Sequence, residues 1–490
     1  MDNSTTGRSY FILFAILLIS TIPRIYGITW GLPSATHMWP YHVDEPTLFF
    51  GLKRAISERS PFIAFHGFWG GLYYYLAAGL FGTAHLLGLI VLKSGREYYL
   101  NNPDALASVY LLGRMISVAA GIGSSAILWL AGKKDKENRD VYWCSAFILA
   151  LLPLPALMSH IQTGHSLAAL WSTLLVVALA QNDNSRRSEL MLGLIAGAAV
   201  GTEYAQGLWA LPMGLLTIDR SSVKITLLRW ARIAGVAIGV ILITNPGIVL
   251  DYNYWREMQI SQSKFISPGI DKSFILLGRL LGSFNPIILL FAAGGVFISI
   301  RNRSKLGFVV LIHLVFYSIP VLCTGNIFSR RWNPISADIA IMSAFCIVAL
   351  FRKNKFAGMS CSFVGLIALL ISLIATFTSF TDKDTRDPSR EWIIENISAG
   401  TSIGIENWFF VPHIPIDRYE ITRDEFEKRP PIWITSQENA PVPRQLKEAG
   451  YNQIALFHRP VTFSGYELNE YWYPSEIRYV NPDISVWEKK

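Results

Sequence analysis

Apolar stretches of roughly 18 residues or more, the length that crosses a hydrocarbon core, recur at about 9–28, 108–131, 141–159, 165–181, 230–250, 284–300, 306–323, 334–351 and 357–380. A water-soluble core has no use for so many, so an integral membrane protein is predicted. A further run at 189–217 is interrupted by Gly201-Thr202-Glu203-Tyr204 and reads as two short helices meeting at a polar tip. The pattern is helical rather than barrel-like and gives about eleven crossings. Composition agrees: 51% of residues are hydrophobic, 16% are charged, and mean hydropathy is +0.34.

The formal charge of +8 does not point to nucleic acid, because the cations are divided among short loops and form no basic stripe. Their placement reports topology. Lys133 to Arg139, Arg186-Arg187, Arg220 to Arg232, Arg301 to Lys305 and Arg352 to Lys355 occupy alternate loops, which the positive-inside rule makes cytoplasmic. The opposite loops face outward and hold Asp44-Glu45, His160 to His165, Asn245 to Ser273, Arg330-Arg331 and everything after Thr381. Residues 70–92 are apolar enough to span, yet a crossing there would put Asp44-Glu45 on the basic side, so they read as a partly embedded or juxtamembrane helix. Lys53, Arg54 and Arg59 then lie outside, suited to an anionic lipid headgroup. The four cysteines sit in apolar segments and suggest neither a disulfide nor a zinc framework.

Composition changes after Phe380 to charged, proline-containing sequence. The chain therefore divides into a transmembrane unit, 1–381, with a first outward loop at about 29–107, and a small soluble α/β unit, 382–490. In the latter, an amphipathic helix after Asp387-Pro388, strands near 401–405, 431–435 and 453–457, and a helix near 444–449 are expected. No nucleophile elbow, phosphate loop or metal-ligand spacing occurs there, and no catalytic site is expected in it.

Asp44 and Glu45 are adjacent carboxylates in the first polar stretch after a span, where one could act as general base on a substrate at the membrane surface. Acidic residues before Pro46 also make an ordinary helix N-terminal cap, and the two readings are compatible. Several segments together resemble the polytopic C-type glycosyltransferases: Asp44-Glu45, Arg114 in Leu112-Gly113-Arg114-Met115-Ile116-Ser117, Asn245-Pro246 ahead of Leu250-Asp251, Arg330-Arg331-Trp332-Asn333-Pro334, and Arg386 to Glu395 followed by Gly400-Thr401. The likeness is to the protein O-mannosyltransferase-like and aminoarabinose transferase-like branch.

That resemblance implies an inverting transferase that takes one sugar, hexosyl or pentosyl, from a polyprenyl-phosphate or dolichyl-phosphate carrier on the outer face of the membrane. The acceptor is a protein, lipid or glycan. Asp44 would be the catalytic carboxylate, with Glu45 orienting the loop or assisting a divalent metal ion. Arg114, Arg330 and Arg331 would be candidates for the donor phosphate, since a guanidinium meets phosphate in a bidentate fork; anchoring at helix ends is the alternative for each. The chain departs from the family in two places. Gln162-Thr163-Gly164-His165-Ser166 stands where relatives often carry an acidic residue, leaving His160 and His165 as metal ligands, hydrogen-bond donors or structural groups. Glu203 stands where relatives often carry a cation, so it is a candidate site residue with no partner legible in the sequence. Asp338 is expected to pair with Arg330 or Arg331. Two other functions compete: an oligosaccharyltransferase using a lipid pyrophosphate, disfavoured by the lack of a Trp-Trp-Asp signature, and a lipid or polysaccharide transporter, disfavoured by the lack of internal repeats.

Overall fold

The computed structural model describes residues 3–490 apart from 66–68, 94, 265–268, 325–327, 382, 407–409, 424–425 and 437–440. It is mainly helical, because in lipid a single segment can satisfy its own backbone only as a helix. Among the described residues, five helices are long and apolar enough to cross a membrane. They are Pro103–Lys134, Val223–Thr244, Lys305–Cys323, Ser329–Lys353 and a last one beginning at Lys355. Ile270–Phe284 and Pro286–Arg301, bent by 99° at Asn285, make a sixth if counted together.

Of the other expected crossings, the first is the helix Asn3–Ile25, whose apolar part is Tyr10–Ile25, and the rest are shorter or broken. The 141–159 run stops at Leu151 and restarts at Pro153, a residue that suits the first turn of a helix but not its interior. His165–Ala180 is only 16 residues long, and Arg186–Thr202 ends at Glu203 in extended conformation. Gly71–Leu86 also forms a 16-residue helix.

The ends of these helices sort by charge. Ser185, Ser222 and Ser304 cap three of them, each side chain accepting a backbone N–H of the first turn. Lys133-Lys134, Arg301 and Arg352-Lys353 occupy last turns, where cations complement the macrodipole. Contacts gather the basic loops at one end: Arg352 pairs with Asp140 at 3.3 Å, and Lys305 Nζ donates to the Asn182 carbonyl at 2.7 Å. Beside them, Glu189 is clamped by Arg229 and Arg232 at 2.9 and 2.6 Å. Asp44, His165, Glu203, Arg330 and the C-terminal region meet at the opposite end.

In that region β1 (Ser402–Ile405), β2 (Glu420–Arg423), β3 (Ile432–Ser436), β4 (Tyr451–Phe457) and β7 (Ile484–Lys489) form a five-stranded sheet ordered β2-β1-β3-β7-β4. The β1 pairings are parallel, those of β7 antiparallel. A separate hairpin is made by β5 (Thr462–Phe463) and β6 (Tyr466–Glu467). Ile393 of the helix Arg386–Asn396 and Ile397 just after it share a core with Ile403, Ile434, Ile484 and Val486. The apolar runs at 401–405, 431–435 and 453–457 thus become strands, while β2 and β7 had no expectation attached.

One side chain fastens this region to the loop that leads to Asp44. Arg386, wholly buried, forks onto Asp384 at 2.8 Å through Nε and Nη2. It also donates to the carbonyls of Tyr41 at 3.1 Å and Tyr479 at 2.8 Å. Tyr41 Oη donates to Asp387, and its ring stacks on His37 at 4.0 Å. The loop leading to Asp44 is therefore held on both sides.

Candidate active site

Pro46 starts the helix Pro46–Ser57, with Glu45 as its flanking residue in helical conformation and no side-chain cap bond. The capping role considered for the acidic pair is not what Glu45 does. It turns inward instead. Arg114 Nε and Nη2 meet Glu45 Oε1 and Oε2 at 2.7 Å each, while Arg114 Nη1 donates to the Ile28 and Trp30 carbonyls at 2.5 and 2.7 Å. Glu45 also accepts the Gln162 backbone N–H at 2.8 Å. Both side chains are entirely excluded from solvent. Gly113 makes this closure possible, since a Cβ there would lie 1.8 Å from Gln162 Oε1.

Arg114, expected as a donor-phosphate candidate, is wholly buried and directs its nitrogens at Glu45 and two carbonyls. It ties the first loop to the helix Pro103–Lys134 and, through Glu45, to the 160–165 loop. Breaking a buried pair of this kind by removing one partner typically costs about 3–5 kcal/mol.

Asp44 turns the other way. Its Oδ2 lies 3.2 Å from Arg330 Nη2, and a quarter of the side chain stays open to solvent. Its backbone N–H points at His42 Nδ1, 3.3 Å away. His42 is buried, its Nε2 has no partner among the described residues, and burial brings its imidazole down to about 4. Burial pushes the Asp44 carboxyl up, but Arg330, with His42, His165 and Arg331 behind it, more than offsets this. The group thus sits below the ordinary carboxylate value and is ionised throughout the neutral range.

Arg330 and Arg331 belong to the turn of 3₁₀ helix Ser329–Ile335. Arg330 is held by Glu476, whose carboxylate takes Nη1 at 3.1 Å and the Arg330 backbone N–H at 3.0 Å. The guanidinium also lies 4.1 Å over the Phe328 ring. Arg331 Nη1 is 3.3 Å from Glu203 Oε1, and the other Glu203 oxygen is 3.3 Å from His165 Nδ1. Glu203 is placed by an antiparallel bridge to Trp69 and by the Gly70 N–H bond to the Thr202 carbonyl at 2.8 Å. Asn245 Oδ1 receives the Gly71 N–H at 2.5 Å. Gly70 allows the approach, because a Cβ would stand 2.1 Å from the Gly201 carbonyl.

Of the residues singled out from sequence, Asp44, Arg330, Arg331, Glu203 and His165 thus converge, while Glu45 and Arg114 form the support behind them. His160 is structural: its two ring nitrogens face the Ala156 and Tyr26 carbonyls at 3.0 and 2.8 Å. Asp338 does not reach Arg330 or Arg331; it pairs with His313 at 2.5 Å, deep between two spans. Glu476 was not expected, since the C-terminal region shows no catalytic motif.

Among the described residues no three of His, Cys, Asp and Glu converge on one point, and Glu45, Glu203 and Glu476 each already face a cation.

An apolar groove of about 580 Å³ runs from Gln206, in the turn after Glu203, past Trp209, Met213, Ile233 and Ile241 toward Thr217 and Trp230 near the basic end, and none of Asp44, His165, Glu203, Arg330 and Arg331 lines it. Its walls are almost wholly apolar.

No protein-family model matches this chain, and no curated protein matches it in sequence. Solved structures do. The Archaeoglobus fulgidus oligosaccharyltransferase AglB, in complex with an inhibitory peptide and a dolichol-phosphate, is similar over 98% of this chain and 78% of its own, with TM-score 0.55 and 13% identity. ArnT from Cupriavidus metallidurans, bound to undecaprenyl phosphate, is similar over 98% of both chains, with TM-score 0.50 and 10% identity. The chain has the fold of the C-type glycosyltransferases. The yeast protein O-mannosyltransferase Pmt1-Pmt2 complex, bound to the sugar donor, covers 51% of the chain and 34% of its own at TM-score 0.36 and 16% identity, too little to add weight.

Proposed function

We infer that the protein is a membrane glycosyltransferase moving one hexosyl or pentosyl unit from a polyprenyl-phosphate carrier to a protein, lipid or glycan acceptor on the outer face of the membrane. The observation that carries this reading is one partly open carboxylate, Asp44, 3.2 Å from a guanidinium that a second carboxylate holds in place. A second guanidinium follows in the next residue, and the apolar groove that begins at Gln206, in the turn after Glu203, suits a prenyl chain.

Asp44 accepts the proton of the acceptor hydroxyl as that oxygen bonds to the anomeric carbon. The bond from that carbon to the phosphate oxygen breaks on the opposite face, and its electron pair leaves with the phosphate. Attack from the far side inverts the anomeric configuration. Arg330 and Arg331 stabilise the charge that grows on the departing phosphate. In this reading 1–381 is the transmembrane unit, with eleven crossings that include the shorter helices, and Asp44 lies with 382–490 outside the cell membrane. Residue 382, the expected boundary, is outside the described residues.

Reconstituted protein offered a polyprenyl-monophosphate sugar and a polyprenyl-pyrophosphate sugar should consume only the first and yield product of inverted anomeric configuration by NMR. Consumption of the pyrophosphate alone would make it an oligosaccharyltransferase; movement of intact lipid without sugar release would make it a transporter.

A further inference from the structure

Arg330 serves two carboxylates unequally. Glu476 is about 1% exposed in its side chain and binds twice, to the guanidinium at 3.1 Å and to the backbone N–H at 3.0 Å. Asp44 is 25% exposed and binds once, through Nη2 at 3.2 Å. A phosphate that takes the Nη2 edge in a bidentate fork meets Asp44 Oδ2, 3.2 Å from that nitrogen, while Glu476 sits on Nη1, and the weaker, more hydrated Asp44 contact yields. The Glu476 side stays because leaving a buried carboxylate unpaired costs far more than returning an accessible one to water. Glu476 lies just ahead of the short helix Ile477–Val480, and Arg386 binds the Tyr479 and Val480 carbonyls at 2.8 and 3.3 Å. Its position is therefore set by the C-terminal region.

Resting on the transferase reading, we propose that Glu476 is a positioning residue which pins Arg330 so that the carrier phosphate exchanges with Asp44 on the guanidinium's open edge. Donor arrival then releases the carboxylate at the moment it is needed as a base. With no donor bound, Asp44 stays tied to Arg330 and is a poor proton acceptor.

The test is direct binding of farnesyl phosphate, with farnesol as control, to the full-length protein in nanodiscs. If phosphate and Asp44 compete for one edge, Asp44→Asn binds the phosphate about tenfold more tightly, an effect the size of one charge-assisted contact. Glu476→Gln, which can still accept the Arg330 backbone N–H, unfolds at a lower temperature and, in the protein that remains folded, binds the phosphate several-fold more weakly, and Glu476→Asp recovers part of the loss. Farnesol binding is the same for all. Asp44→Asn binding as wild type or more weakly would overturn the exchange, and wild-type affinity in Glu476→Gln would remove its positioning role. Should Glu476→Gln fail to fold, Glu476→Asp, which keeps the charge on a shorter side chain, decides the positioning role, and wild-type phosphate affinity in it would remove that role. Wild-type affinity in Arg330→Ala would instead sink the phosphate clamp itself, so the two failures are distinguishable.

Discussion

Two adjacent carboxylates, each facing an arginine, end in opposite states. Glu45 and Arg114 are sealed from water and joined at both oxygens, whereas Asp44 and Arg330 touch once at a partly open edge. The difference lies in what each arginine was built into. Arg114 rises from the middle of a long helix and meets two backbone carbonyls besides Glu45. Arg330 sits in a short turn shared with a residue from the far end of the chain. A fully satisfied buried pair fixes geometry; an incompletely satisfied one at a surface can change partners.

The sharpest way to break this contrast is to remove the sealed cation. Arg114→Ala should lose about 3–5 kcal/mol of stability, because it strands Glu45 in a dry site. Thermal unfolding in detergent reads the loss, and an unchanged midpoint would mean that Glu45 is not as sealed as its contacts imply.

A smaller effect is expected at Arg331, which shares Glu203 with His165. Arg331→Ala should raise the donor KM by about tenfold or more, the scale of one charge-assisted contact. Arg331→Lys should recover only part, for want of the planar fork. Steady-state kinetics against the lipid-linked donor would show it; full recovery by lysine would make the residue a point charge only.

The mildest prediction concerns His42, behind Asp44. Burial lowers its imidazole from 6.5 to about 4, so between those values the unfolded chain binds a proton that the folded protein does not. Stability therefore rises with pH across that window and is lost as pH falls toward 4. His42→Phe should flatten the unfolding midpoint against pH there, by at most roughly 1.4 kcal/mol per pH unit. An unaltered slope would place the acid sensitivity in His37, His160 and His413, whose imidazoles burial also lowers.

What the sequence made legible was local. Apolar runs located the long helices, alternating basic loops put Asp44, His165 and Arg330 at one end, and the apolar segments bounded by Gly400 and Pro430-Pro431 became β1 and β3. What stayed hidden was long-range pairing. Glu45 and Arg114 are 69 positions apart and Arg330 and Glu476 are 146 apart, and no periodicity tells which distant polar groups will share a buried site. Asp338 illustrates the cost: the nearby arginines looked like partners, but its helix turns the carboxylate to His313 instead. The strand β7 escaped notice because its short run at 484–489 gains meaning only between β3 and β4.

The contrast between the two carboxylates is tested most directly by measuring sugar transfer and thermal unfolding together for Asp44→Asn and Glu45→Gln in the purified, reconstituted protein. Asp44→Asn should keep its unfolding midpoint within the equivalent of about 1 kcal/mol, the usual reach of a surface contact, yet lose transfer by about a hundredfold to ten-thousandfold, as loss of a positioned base does. Glu45→Gln should do the reverse, destabilising the fold while what remains folded still transfers sugar. Near-normal transfer by Asp44→Asn, or a Glu45→Gln protein as stable as wild type but inactive, would contradict the division of labour between them.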